Sequence, residues 1–390
     1  MKIESVITNV VFSSTPESGF VGGKNWILVK IETDEGISGW GESYCVPDRD
    51  LSIEQMIKEI GVYLEGKDPF HIKHFTQMVY NDFAARRGSL ELYCAVSGIE
   101  QAMWDIVGKS LKVPVYNLLG GPLREKIRVY ANGWSSTARS PEEMARMAVE
   151  TVNKGFTALK FDPFPGRWRL YIPKEHERIA AENVRAVREA VGSEIDLLIE
   201  VHRRLAPMHA VRFARMIEKY DLFWFEEPVP AENIDALAEV RRNVSIPVVT
   251  GETLYTKAPF CEVFKKQAAD IINPDVCNCG GILELKEIAT LADPNYVAVS
   301  PHNYNSTTMA LAATLHASAT MPNFIITEYF INFAELGNTI SKNPFKVEDG
   351  YIKIPTTPGL GLEIDEEALA DYVPKHRHPK RTFPALKDEF

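Results

Sequence analysis

Three stretches decide the fold of this chain: Ile195-Asp196-Leu197-Leu198-Ile199-Glu200, Leu222-Phe223-Trp224-Phe225-Glu226 and Ile246-Pro247-Val248-Val249-Thr250-Gly251-Glu252. Each is a short apolar run closed by a glutamate, and the glutamates stand 26 residues apart. A buried strand followed by a helix-length segment, once per repeat, is the pattern of a parallel β/α barrel. Functional side chains of such barrels gather at the C-terminal strand ends. Three carboxylates brought together there repel one another, and a hard divalent cation such as Mg²⁺, which prefers oxygen ligands, relieves that repulsion. Glu200, Glu226 and Glu252 are therefore the candidate metal ligands, and the chain reads as a metal-dependent enzyme.

The alternation continues on both sides of these runs. From Ile127 onward candidate strands end near Asn132, Asp162, Glu200, Glu226, Gly251, Asn273, Pro301 and Glu328, with helical segments such as Lys174–Val191 between them. Upstream, residues 26–33 and 37–42 flank Asp34-Glu35-Gly36 and predict a hairpin. Residues 54–110 predict helices, the clearest with Leu92, Ala95, Val96, Ile99, Met103 and Ile106 at three- and four-residue steps. Leu118-Leu119-Gly120-Gly121-Pro122 is a break. After Phe330 the pattern changes, and residues 351–361 read as strand and turn returning to the N-terminal part. The expectation is an α/β chain: a TIM-type β/α barrel over residues 126–344, with an α+β domain from residues 1–125 and the return of 345–390.

Composition fits. The chain has 390 residues, 45% of them hydrophobic, enough for a barrel of about 250 residues and a second domain. The net charge is −10 with no basic run, which excludes a nucleic-acid partner and reads as a solvated acidic surface. Met-Lys-Ile-Glu-Ser-Val alternates like a strand and lacks the apolar core of a signal peptide. No run reaches the ~20 apolar residues of a membrane span, so no membrane partner is expected and the cytoplasm is the expected location. Cys45, Cys94, Cys261, Cys277 and Cys279 are an odd count, and Cys277-x-Cys279 lacks the second pair a zinc site needs.

Side chains at i and i+2 of a strand share a direction. Lys160 with Asp162, and Glu200 with His202, are expected to face the barrel mouth in this way. Of Glu226 and Glu227 only one can face inward, and Glu226 keeps the interval. Asp275 and His302 end neighbouring strands about 5 Å apart. They can pair, the carboxylate fixing the imidazole tautomer and raising its basicity for proton abstraction. A lone histidine is more often a satisfied core residue; the neighbouring Asp275 favours the catalytic reading. His202 either steadies Glu200 or donates a proton. Lys160 either pairs with Asp162 or Glu227, or stabilises charge developing on a substrate. Glu328 either bonds substrate or is structural. Asn132, Trp134, Asp162, Asn303 and Tyr304, and more weakly Arg167 and Arg169, are candidates to meet substrate hydroxyls. Residues 40–44 and 83–87 are candidates for a lid.

The chain resembles the enolase superfamily, in its mandelate racemase subgroup. The matching pieces are Ala102-Met103-Trp104-Asp105-Ile106 with Leu118-Leu119-Gly120-Gly121, Phe225-Glu226-Glu227-Pro228, Gly251-Glu252, Asn273-Pro274-Asp275 with Gly280-Gly281, Ser300-Pro301-His302, and Pro358-Gly359-Leu360-Gly361. The resemblance implies that the α+β domain caps a modified barrel. It also implies that Mg²⁺ is held by Glu200, Glu226 and Glu252, with the substrate carboxylate on that metal, and that a proton α to the carboxylate is removed. Two departures matter. The subgroup's Lys-x-Lys is here Lys160-Phe161-Asp162, so a second base is lacking; and the first ligand is Glu200 where Asp is usual. His202 in Glu200-Val201-His202 resembles sugar-acid dehydratases acting on galactonate and gluconate, where such a histidine protonates the departing 3-hydroxyl. The expectation is a Mg²⁺-dependent aldonate dehydratase, a hydro-lyase acting on a small-molecule sugar acid and assembling as a homo-oligomer. The alternatives are an epimerase or lactone cycloisomerase of the same superfamily, or a non-catalytic metabolite-binding barrel.

Overall fold

The computed structural model describes residues 1–13, 24–45, 49–83, 87–165, 170–303 and 306–373. The first strands, β1 (Ile3–Ser13), β2 (Lys24–Thr33) and β3 (Ser38–Ser43), form an antiparallel sheet in that order. Helices α1 (Asp50–Leu64), α2 (Ile72–Met78) and α3 (Leu90–Leu111) follow. Ser89 caps α3 by accepting from the Leu92 N–H at 3.3 Å, and the predicted stripe from Leu92 to Ile106 is buried. β3 lies hard against α3: a Cβ on Gly41 would stand 2.1 Å from the Gly98 carbonyl oxygen, so only glycine fits there.

After α4 (Val115–Leu118) the barrel runs β4 (Lys126–Asn132), α5 (Pro141–Val152), β5 (Ala158–Phe161), α6 (Lys174–Val191), β6 (Asp196–Glu200), α7 (Pro207–Ile217), β7 (Trp224–Glu226), α8 (Ile234–Asn243), β8 (Val248–Thr250), α9 (Lys257–Lys265), β9 (Ile271–Ile272), α10 (Ile282–Ala292), β10 (Ala298–Val299), α11 (Thr308–Ala319) and β11 (Thr327–Phe330). The parallel order is β10-β9-β8-β7-β6-β5-β4-β11. Two backbone bonds complete the ring, Val299 N–H to Asn323 O (2.9 Å) and Ile325 N–H to Val299 O (3.0 Å). The eight strands fall where the apolar runs place them. Glu328 is the exception in detail, since it is the second residue of β11 rather than its end. Tyr130, Ala158, Leu198, Trp224, Val249, Ile271 and Ile326 fill the barrel interior as one apolar layer. Leu198 and Trp224 lie two residues before Glu200 and Glu226, so the pleat turns each glutamate the same way, above that layer.

The remaining elements are α12 (Ala334–Thr339), β12 (Tyr351–Lys353) and α13 (Glu366–Tyr372). The expected return to the N-terminal part is divided. β12 pairs antiparallel with the start of β4, whereas the Leu360 N–H donates to Asp105 on α3 (2.8 Å) and Glu366 meets Lys30 on β2 (2.9 Å). Two buried glutamates join cap to barrel at helix starts, where unpaired N–H groups need acceptors. Glu42 of β3 accepts from the N–H groups of Thr307 (3.0 Å) and Ala310 (3.1 Å) at α11. Glu100 of α3 accepts from Ile282 (2.7 Å) and Leu283 (2.9 Å) at α10, whose N-cap is a glycine with no side chain to do so. No described helix is long and apolar enough to cross a membrane.

Candidate active site

β6 and β7 are in register with Glu200 beside Glu226. Glu252 lies two residues past β8, beyond Gly251, whose φ of 138° suits only glycine. Glu227, pointing away from Glu226, fixes that turn by accepting from the Gly251 N–H (2.8 Å) and the Thr250 hydroxyl (2.9 Å). One carboxylate oxygen from each of Glu200, Glu226 and Glu252 lies within 4.8 Å of the others. Burial, and next the charge of Glu200, push the Glu226 carboxyl well above its usual range. One of its oxygens, Oε2, is buried without a hydrogen-bond partner. An all-oxygen set with surplus negative charge and an unsatisfied carboxylate oxygen fits a hard divalent cation.

Lys160 is 1% exposed. Its Nζ lies 2.9 Å from Glu226, 3.4 Å from Glu328 and 3.5 Å from Glu200. Burial alone would lower its pKa, but the charges of Glu226 and Glu328 raise it well above the ordinary value, so it is an ammonium. Of the two alternatives for Lys160, the pairing with Asp162 or Glu227 is not the one found: its ammonium turns to the inward carboxylates. Glu328 accepts from Asn132 Nδ2 (2.6 Å) and from the Asn303 N–H (2.9 Å). Burial opposes its ionisation, and the charges of Lys160 and His302 outweigh that to keep its pKa below the usual value.

Asp275 and His302 come together as the strand ends suggest. Asp275 Oδ2 and His302 Nδ1 are 2.7 Å apart, and the other imidazole nitrogen, Nε2, is 2.9 Å from Glu252 and 3.6 Å from Glu328. The second Asp275 oxygen accepts from the Cys277 N–H at 2.7 Å. Burial would lower the His302 pKa; the charges of Glu328 and Glu252 and the Asp275 bond raise it well above the ordinary imidazole value. The Asp275 bond sets Nε2 as the atom that faces the carboxylate cluster.

His202 lies past the end of β6 at φ 51°, so strand alternation does not aim it. Its Nδ1 is 3.0 Å from Asp162 Oδ2, and its side chain is 42% exposed. Burial works against protonation there, but the charges of Glu200 and Asp162 raise its pKa. Trp134, a candidate to meet substrate hydroxyls, is buried. Its indole is 2% exposed and packs edge-on against Phe161 at 5.4 Å, with its N–H buried and unpartnered. Asn132 and Asn303 reach the site through Glu328. Tyr304, Arg167 and Arg169 lie outside the described residues, as do residues 84–86 of the suggested lid. In the other lid stretch Trp40 is core, 4% exposed, while the Tyr44 ring comes within 6.5 Å of the His302 ring. Sequence reasoning misses two arginines. Arg203 pairs with Glu252, and Arg204 with Asp162. Their one signal is a double arginine directly after Glu200-Val201-His202.

A family model described as the mandelate racemase / muconate lactonizing enzyme N-terminal domain matches residues 3–120, and one described as enolase C-terminal domain-like matches residues 143–368. The chain is 35% identical over 350 residues to a D-gluconate dehydratase of Thermoproteus tenax, covering 89% of this chain and 69% of that one. It is 35% identical over 350 residues to a D-galactonate dehydratase of Variovorax paradoxus, covering 88% and 90%. A crystal structure of a mandelate racemase/muconate lactonizing enzyme-like protein from Roseovarius sp. TM1035 superposes with a TM-score of 0.90 at 34% identity, covering 99% of each chain.

Proposed function

The chain belongs to the enolase superfamily, in its mandelate racemase / muconate lactonizing enzyme group, and on that premise we propose that it is a hydro-lyase that dehydrates an aldonate to a 2-keto-3-deoxy acid. The observation that carries this reading is a one-sided site. A histidine–aspartate pair, His302 and Asp275, stands on one side of a three-carboxylate cluster, and a second histidine, His202, stands at the end of the strand that supplies Glu200. The dehydratase names of the relatives support it.

Glu200, Glu226 and Glu252 would hold Mg²⁺, which when bound supplies Lewis-acid stabilisation of negative charge on the substrate carboxylate. The rest is work for this chain's own groups. His302 Nε2 takes the C2 proton, with Asp275 holding Nδ1 and stabilising the imidazolium. The electron pair left at C2 spreads into the carboxylate, where the Lys160 ammonium adds positive charge. As the C3–O bond breaks, that pair forms the C2=C3 bond, and the proton of His202 goes to the departing hydroxyl, which leaves as water. The enol tautomerises to the 2-keto acid. Glu328, held by Asn132 and Asn303 N–H, faces the same space and positions the substrate. In this proposal residues 1–125, with the return of 345–390, are the cap and residues 126–344 the barrel, the cap placing Tyr44 near His302. The test is a panel of five- and six-carbon aldonates assayed for 2-keto acid, with Mg²⁺ and with excess EDTA. Metal-dependent keto acid formation is expected; inversion at C2 without keto acid would establish an epimerase instead.

A further inference from the structure

Asp162 occupies the position where the subgroup's second lysine would stand, and its own contacts say what it does there. Its Oδ1 accepts from the Phe164 N–H at 3.0 Å. Its Oδ2 meets His202 Nδ1 at 3.0 Å and the Arg204 guanidinium. A carboxylate has about four acceptor positions, and three are taken by groups of this chain. Little of Asp162 is left for a substrate hydroxyl, so the expectation of a substrate contact is replaced by another role.

The turn that brings His202 to Asp162 is strained and firmly held. His202 and Arg203 have φ of 51° and 59°, the left-handed region that residues with side chains seldom adopt. Several bonds hold it in place. The His202 N–H donates to Glu200 Oε1 (2.7 Å) and the Arg203 N–H to the Glu227 carbonyl (2.7 Å). Arg204 Nε donates to the Val201 carbonyl (3.0 Å), Arg203 pairs with Glu252, and the Leu170 N–H donates to the Arg204 carbonyl (2.7 Å). A side chain as exposed as His202 would otherwise have several rotamers open to it. We propose that Asp162, braced by Arg204, is a positioning residue for His202: it accepts the Nδ1 hydrogen, fixes the ring plane, and presents Nε2–H to the departing hydroxyl. This rests on the dehydratase reading. It makes the replacement of the second lysine a gain of acid positioning rather than only the loss of a base.

The experiment uses the full chain with Mg²⁺ and whichever of D-gluconate, D-galactonate or another panel aldonate the wild type dehydrates. Asp162→Ala, Asp162→Asn, His202→Asn and the Asp162→Ala/His202→Asn pair are compared for kcat and KM, with urea midpoints as the control for folding. Loss of a group that orients a catalytic side chain typically costs about 10–10²-fold. Asp162→Ala is expected to lower kcat by that factor with KM changed less than about 3-fold. Asp162→Asn, which keeps an acceptor oxygen, should recover part of the loss, and it carries the test if the alanine variant does not fold. The deciding readout is the cycle: in the His202→Asn background, removing Asp162 should cost almost nothing more, because its effect runs through His202. An equal further loss in that background, or a loss confined to KM, overturns the positioning role while leaving the dehydratase reading intact. A wild type inert toward every aldonate overturns the dehydratase reading and the positioning role with it.

Discussion

Glu226 sits under opposing electrostatic demands, since burial and the charge of Glu200 oppose its ionisation while Lys160 favours it. It is fully buried and bonded to Lys160 (2.9 Å) and Asn273 (2.8 Å), and its second oxygen has no partner. Glu226→Gln keeps the volume but removes one of the three carboxylates proposed to hold the metal and leaves Lys160 facing an amide. Turnover is expected to fall by at least about 10²-fold, the scale of losing one group that stabilises developing charge, and millimolar Mg²⁺ should not restore it. Steady-state rates across a Mg²⁺ titration check this; wild-type turnover at saturating Mg²⁺ would remove Glu226 from the ligand set. Glu226 is legible in the sequence because the pleat allows only one of two adjacent glutamates inward and the 26-residue interval chooses it. Arg203 and Arg204 are not legible. They follow a backbone that leaves the strand at positive φ, and no two-residue periodicity extends through such a turn.

Elements place what single residues cannot. The proposed base, His302, stands on the loop after β10, and the strand that would carry an opposing base, β5, leads to Lys160, held among three carboxylates, and Asp162, turned to His202. In the proposed mechanism one face of C2 is served, and the resemblance to the superfamily implies that it is the face of an R-configured proton. The 2R aldonates are expected to react and their 2S epimers not; epimer pairs assayed for keto acid decide it, and comparable rates would require a second base. The same scale governs how the cap is fastened. Glu100→Gln turns one of two acceptor oxygens into a donor facing the N–H groups of Ile282 and Leu283. Leaving buried donors unpaired costs about 1–3 kcal/mol, so the urea midpoint should drop accordingly while KM is unchanged. The strands and α6 are readable from apolar runs and helical period, since each must bury one face. These caps are not, because Glu100 and Glu42 find their partners 182 and 265 residues away and no local pattern announces such a contact. Trp134 escapes the sequence for a related reason: loop position says nothing about which way a ring turns.

For the molecule as a whole, the join between α4 and the barrel makes stability depend on pH. His316 on α11 is fully buried, its Nδ1 accepts from the Tyr116 N–H at 3.1 Å, and its ring stacks on Tyr116 at 5.2 Å. Burial lowers its pKa from 6.5 to about 4. A neutral imidazole is thus built into the folded chain, whereas the unfolded chain takes up a proton below pH 6.5. The unfolded state then binds more protons, so stability rises with pH in this window. The contribution is complete above pH 6.5 and is lost as pH falls toward 4, at about 1.4 kcal/mol per pH unit. The total approaches about 3 kcal/mol. Carboxylates titrate in the same range, so the measurement is a difference. Urea midpoints of the wild type and of His316→Gln, which keeps an acceptor for Tyr116 but no titrating group, are compared from pH 7.5 to 4.5. The two curves should separate at neutral pH and converge as pH falls, because only the wild type has this term to lose. Parallel curves would mean that His316 is protonated alike in both states, and its burial would then contribute no pH dependence to the α4–α11 join.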